Sequence, residues 1–341
     1  MHVTEVGYAL LFGGAQYVLT RDLLGLSWDV GTTSYLACVV LCVILGQRPT
    51  GGVSNERWFY ATVLTPAYFA LFFFVPLLTA PVACLAALVV GIIFKAACMS
   101  VSMHRYSAHQ AFTCGPFASC FLHCLGCLAA QGGPLWWATN HRAHHKFCDA
   151  DKRETGSPNN VDPHSPILES PVDAYAFLVE HRTIKEEFVP RHCDSLAARL
   201  IDTWCSLPML LEYLLAYRLL GSTGLWVACM TGYGSQVLTL WFNVLNHIPK
   251  SGEADKYGCR AADVRATVAP NVFFAMINRL QWIMVLIGED MHEHHHVHGN
   301  LAERPGLDLS WRLFVLPMRA VGLISNVKTM NREPPPPPPR R

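Results

Sequence analysis

Two apolar runs, Trp58 to Leu78 and Val82 to Met103, are separated only by Thr79-Ala80-Pro81. Each is long enough to cross a hydrocarbon layer of about 30 Å. A three-residue link forces the second run straight back beside the first. Inside a bilayer the backbone must satisfy its own hydrogen bonds, so both runs are expected to be helices. A second pair follows at 203–220 and 224–246, joined by Gly221-Ser222-Thr223, with Glu212 and Arg218 in its first limb. The chain is 52% hydrophobic and only 15% charged, the composition of a membrane protein. The expected architecture is all-α and integral to the membrane, a four-helix core of two hairpins. A net charge of +1 and the lack of a basic stripe exclude a nucleic-acid binder.

The flanks are less constrained. Residues 6–19 and 33–46 are apolar but short for a span, leaving a re-entrant hairpin, an interfacial helix or one extra span open. With Glu5 early and no basic lead, the start does not read as a signal peptide. The boundaries expected are 1–57 for these segments and a linker, 58–311 for the main domain, and 312–341 for a C-terminal segment ending in the polyproline stretch Pro334 to Pro339. Between the hairpins, Phe117 to Ala130 reads as a half-buried helix carrying His123 and closing at Gly132-Gly133-Pro134. Most of the thirteen cysteines lie in apolar runs and read as small buried thiols. Lys95 either snorkels to an interface or faces a polar cavity near His104.

Charge gives the sidedness. The hairpin turns carry no Lys or Arg, whereas Arg48, Arg57, Arg105, Arg142, Lys146, Lys152, Arg153 and Lys250 lie on the opposite side. That side is therefore expected to be cytosolic. Two hairpins return the chain to it each time, so every histidine cluster reaches the same face.

Those clusters carry the chemistry. His141, His144 and His145 recur in spacing as His292, His295 and His296, and residues three and four apart share a helix face. His104 and His109 end the second apolar run, five residues apart. On a continuous α-helix they would point about 140° from one another, so both can be ligands only if the helix distorts or they serve different metals. Borderline metals such as iron take imidazole.

His104-Arg-Tyr-Ser-Ala-His109, His141-Arg-Ala-His-His145 and Gly288-Glu-x-x-His-x-x-His-His296, in that order around two hairpins, resemble the three histidine boxes of the integral-membrane fatty acyl desaturases, most closely the stearoyl-CoA (delta-9) type. Asn243-Val-Leu-Asn-His247 resembles that family's Asn-x-x-x-His element. The resemblance runs from about Trp58 to Trp311. It implies a cytosolic helical cap carrying two iron ions on His104, His109, His141, His144, His145, His247, His292, His295 and His296, with Asn243 acting through a water and Glu289 orienting imidazoles. It further implies a fatty acyl substrate (acyl-CoA or lipid-linked), O2, and an external electron donor. Cytochrome b5 and its reductase fit an endoplasmic-reticulum setting with the site facing the cytosol, and ferredoxin a plastid membrane.

The match has departures. Glu293 and His294 replace the family's usual residues in the last box, and Thr139-Asn140 stand where animal stearoyl-CoA enzymes carry an Arg-Asp pair. His294 and His298 are therefore read as surface or supporting groups, and the acyl carrier stays open. The competing readings are a hydroxylase or other oxygenase of the same superfamily and, from another class, a His-rich membrane metal transporter.

Overall fold

A computed structural model of the protein describes residues 82–147, 184–247, 261–267 and 278–330, with nine positions between 10 and 22 and Ala275. The run 58–78, the segment 33–46 and the polyproline stretch lie outside the described residues.

Helix α1 starts at Val82 and is α-helical to Cys98, then widens into a π-helical stretch, Met99–Ala108, before ending at His109. Among the described residues this is the one helix long and apolar enough to cross a membrane. Short strand β1 (Thr113–Cys114) leads into α2 (Pro116–Cys127), which buries Leu122, His123, Gly126 and Cys127 and exposes Phe117 and Phe121. Ser102 donates to the Leu122 carbonyl, and a Cβ on Gly126 would overlap Ser102. The missing side chain thus lets α2 approach α1 just below the first histidine.

Helix α3 (Pro134–Phe147) carries the second histidine cluster. Its first residues are held from α4 (Leu196–Thr203), where Asp202 Oδ1 accepts from Leu135 N at 2.8 Å and Trp136 N at 2.9 Å. An anionic acceptor at a helix start satisfies backbone donors that have no intrahelical partner. Burial nevertheless pushes the Asp202 carboxyl up to about 6, against those two bonds. Gly133 packs on Asp202 with no room for a Cβ, so this cap fixes where α3 begins and the phase of its histidines.

Helix α5 (Ser206–Leu245) is broken at Gly221, whose φ of 63° favours glycine. The chain reverses there. Gly224 packs so closely on the Ala216 carbonyl that no Cβ fits. Lys95 Nζ donates to Glu212 Oε2 at 2.8 Å on one limb and to the Ala228 carbonyl at 2.9 Å on the other. Lys95 is 1% exposed, so neither reading of it from sequence holds: it is a buried ion-pair partner locking both limbs to α1. Residues 206–245 thus fold back on themselves at Gly221, while α1 remains the one described helix with the length and composition of a span. Leu11, Ala15 and Leu19 near the N-terminus share the core between α1 and α5, and Asp22 accepts from Tyr217 and Ser222 at the hairpin's closed end.

The last described stretch comprises α6 (Trp282–Leu286), α7 (His292–Val297), a π-helical turn (Trp311–Val315), α8 (Leu316–Ala320) and β2 (Ile324–Ser325). Strand β2 pairs antiparallel with β1, Thr113 opposite Ser325. Trp311, Val315, Ile324 and Val327 close a second core over Val101, Tyr106 and Phe112. The open end of the α5 hairpin, the end of α1, α3 and α7 thus meet at one end of the molecule.

Candidate metal centre

Nine imidazoles converge there. His104, His109, His141 and His295 form one group and His144, His247, His292 and His296 another, the ligand atoms of each lying within 4.8 Å of one another. His145 joins the first, its Nε2 3.0 Å from His141 Nε2 and 2.8 Å from His295 Nε2. All nine histidines expected from sequence are brought together, and His294 and His298 stand apart, their rings tilted against each other with centroids 4.7 Å apart.

The two groups do not correspond to the two triplets. Helix α3 sends His141 and His145 to the first group and His144 to the second, while α7 sends His295 to the first and His292 and His296 to the second. A shared helix face therefore does not bring a whole triplet to one point. Positions i and i+4 stay on one side of a helix, and i+3 turns far enough to reach a neighbouring point.

The π-helical end of α1 resolves the awkward five-residue spacing. His109 N bonds back to the His104 carbonyl at 3.1 Å, and the wider winding sets the two rings 4.9 Å apart in the same group.

The Nε2 atoms make a chain through the first group, with His109–His141 at 2.9 Å and His104–His295 at 3.0 Å closing on His145. In the second, His247–His292 is 2.8 Å, His144–His296 3.2 Å and His292–His296 3.3 Å. Two nitrogens bound at about 2.1 Å to one metal, a right angle apart, are separated by about 3.0 Å. The observed spacings match that chord. A ring of neutral imidazoles cannot place a proton between every pair, so lone pairs face one another unless a cation lies among them. Burial, and after it the neighbouring rings, holds His109, His141, His144, His145, His292, His295 and His296 well below the ordinary imidazole pKa. Neutral imidazole is the form that binds metal. The residues present fit a pair of borderline metals.

Behind the rings lies a buried ionic network. Glu289, 4% exposed, takes His104 Nδ1 at 3.0 Å, the Ser100 hydroxyl, and Arg105 at 3.3 Å. Burial alone would raise the Glu289 pKa, but His104 and Arg105 outweigh it and hold the carboxylate below its usual range. Arg105 also donates to Asp308 at 2.7 Å and to the Ala302 and Ile287 carbonyls at 2.7 and 3.0 Å. Arg304 lies against His295 Nδ1 at 3.0 Å and donates to the His298 carbonyl at 3.0 Å. Trp137 stacks on His141 at 4.7 Å, and its indole N–H donates to Gln131, which in turn donates to Thr239. Asn243, one turn before His247, is half-buried with its amide turned back to the Thr239 carbonyl. Sequence reasoning found Glu289 and missed Arg105, Arg304 and Asp308. Arg105 sits inside the first box and read as a cytosolic positive charge. Arg304 and Asp308 have no motif spacing.

Known proteins resemble this chain in sequence. The chain is 27% identical over 239 residues to an acyl-CoA 5-desaturase of Anemone leveillei, covering 67% of this chain and 66% of that one. This chain is a relative of the fatty acid desaturases. It is also 26% identical over 243 residues to a probable chloroplastic lipid desaturase of Arabidopsis thaliana (68% of this chain, 60% of the relative). A third desaturase, an sn-1 stearoyl-lipid 9-desaturase of Anabaena variabilis, is 26% identical over 247 residues (69% of this chain, 80% of the relative). The match to the first two spans slightly less than two thirds of their length. No family model matches the chain.

Proposed function

We propose that the protein is an oxygen-dependent fatty acyl desaturase. In this reading His104, His109, His141, His145 and His295 hold one iron ion and His144, His247, His292 and His296 a second. The observation that carries it is the doubled chain of Nε2 atoms at metal-chord spacing. Kinship with acyl-CoA and acyl-lipid desaturases supports the substrate class.

The net reaction removes a hydrogen from each of two adjacent methylenes: –CH2–CH2– + O2 + 2 e⁻ + 2 H⁺ → –CH=CH– + 2 H2O. An unactivated methylene has no acidic proton, so no side-chain base can begin the reaction. When bound, the irons supply the oxygen activation that the side chains lack. The chain's own residues do the rest. Burial excludes water and keeps the imidazoles neutral. Glu289, braced by Arg105 and Ser100, fixes the His104 ring, because a carboxylate on the far nitrogen sets both tautomer and orientation. Trp137 covers one face of His141. Asn243 is placed one turn before His247 and acts through a water.

The two electrons come from an external carrier, cytochrome b5 with its reductase or ferredoxin, and the acyl group is presented on coenzyme A or in a lipid. The double bond is assigned to the delta-9 position of a saturated chain. The box pattern supports this, and the relatives' own names span positions 5 and 9. The site faces the cytosol at the endoplasmic-reticulum membrane, with a plastid membrane as the alternative.

The test is expression in yeast lacking its own desaturase, beside a His145→Ala control that accumulates equally. A new cis-monounsaturated acyl chain is expected from the wild type alone, with two irons per chain in the purified protein. A hydroxylated or epoxidised product, identical lipid profiles, or tightly held zinc or copper would refute the proposal.

A further inference from the structure

The two imidazole groups leave out two histidines at the end of α7. His294 and His298 are four residues apart, a step that moves only about 40° round a helix axis. The turn is closed between them, because His298 N donates to the His294 carbonyl at 2.8 Å. His292, His295 and His296 take the side of the helix that faces the centre. His294 and His298 are both half-buried, interleaved with exposed Glu293, Val297 and Asn300. A Cβ on Gly299 would overlap the His109 ring, so the turn that carries His298 packs directly on the five-histidine group. Arg304 reaches that turn from inside, donating to the His298 and Gly299 carbonyls at 3.0 and 3.2 Å, and its charge is answered by Glu289 and Asp308.

The ring separation is that of a chelating pair. The His294 and His298 centroids are 4.7 Å apart. The other two histidine pairs at four-residue spacing, His141/His145 and His292/His296, have centroids 4.6 and 4.7 Å apart and Nε2 atoms at 3.0 and 3.3 Å. Each of those pairs is directed at a single group. The His294 and His298 planes meet at 37°, against 70° and 80° in those pairs. Aiming both rings at one point takes a rotation about the Cβ–Cγ bond, a torsion that is broad in histidine.

We infer, independently of the desaturase reading, that His294 and His298 form a third metal site, a two-imidazole chelate for one exchangeable borderline divalent cation such as Zn2+, completed by water. Imidazole suits zinc, copper, iron and nickel, and two histidines four apart on one helix face are a recurrent way of holding zinc. Magnesium prefers oxygen ligands and is excluded by the donor set. Two protein ligands within reach of solvent hold a cation loosely, whereas the nine imidazoles of the centre enclose theirs. The outer site therefore fills and empties without the buried groups being opened.

The experiment is equilibrium dialysis of the full-length protein, as purified in detergent, against Zn2+ with Mg2+ in excess, counting zinc and iron on the same samples. Wild type is expected to bind one more equivalent of Zn2+ than His294→Gln/His298→Gln, with the same iron content in both. Each single variant should weaken that extra equivalent by about tenfold or more, because the second ring on the same turn acts at high effective concentration. Equal zinc counts in wild type and double variant, single variants that bind as tightly as wild type, displacement of the extra zinc by Mg2+, or a double variant that also loses its buried metal would each overturn the inference. The zinc difference between wild type and variant is read whether or not the buried groups hold iron, and the iron count reports separately on the desaturase reading.

Discussion

Removing the carboxylate of Glu289 should damage the protein in two measurable ways. The side chain is 4% exposed and is one of two carboxylates neutralising the fully buried Arg105. Breaking a buried ion pair from one side costs about 3–5 kcal/mol. Asp308 still holds Arg105 at 2.7 Å, so Glu289→Ala belongs at the low end, about 3 kcal/mol. Glu289→Gln keeps the volume and an acceptor for His104 while losing the charge, and should cost about 1.5–3 kcal/mol, the worth of a charged hydrogen bond. Denaturant unfolding of metal-stripped protein in detergent reads these losses. Chelator competition on iron-loaded protein reads the second effect: freeing His104 Nδ1 should weaken retention by about 10- to 100-fold. If Glu289→Ala unfolds within about 0.5 kcal/mol of wild type, as for an ordinary surface substitution, the network does not hold the site together.

Two further outcomes follow from buried polar groups. His123 is wholly buried with neither ring nitrogen hydrogen-bonded, and burial pushes its pKa down to about 4. Its folded pKa lies below the unfolded value of about 6.5, so its contribution is full above that pH and falls away as pH drops toward 4. The loss is about 3 kcal/mol, and His123→Leu should lack that slope in pH-dependent unfolding. Lys95→Met should be strongly destabilising because it strands Glu212, whereas Lys95→Met/Glu212→Leu should recover most of the loss. A double-mutant cycle with additive effects would exclude direct coupling of the pair.

Much of the site was legible in the sequence because ligand spacing is local. The triplets at His141 and His292 state their own helical phase, and the ends of α1 and of the second limb of α5 bring His104 and His247 to the same place. What was not legible depends on contacts between remote segments. Nothing near Asp202 marks it as the cap of a helix that begins 68 residues earlier, at Pro134. Nothing near Asp308 pairs it with Arg105. Lys95 announced itself as an anomaly in an apolar run, but its partner in α5 could be named only from the packing. The five-residue gap between His104 and His109 posed the right question, and the π-helical winding answers it: helical period is itself a tertiary property there.

Because α3 and α7 each contribute to both imidazole groups, the two cannot be built or dismantled one at a time. A small roll of either helix carries one group's nitrogens inward as it swings the other's away. Occupancy of one position therefore stiffens the frame of its neighbour, and filling is expected to be cooperative, with half-filled molecules scarce. A lesion in either triplet would abolish the pair, leaving no working remnant with a single ion.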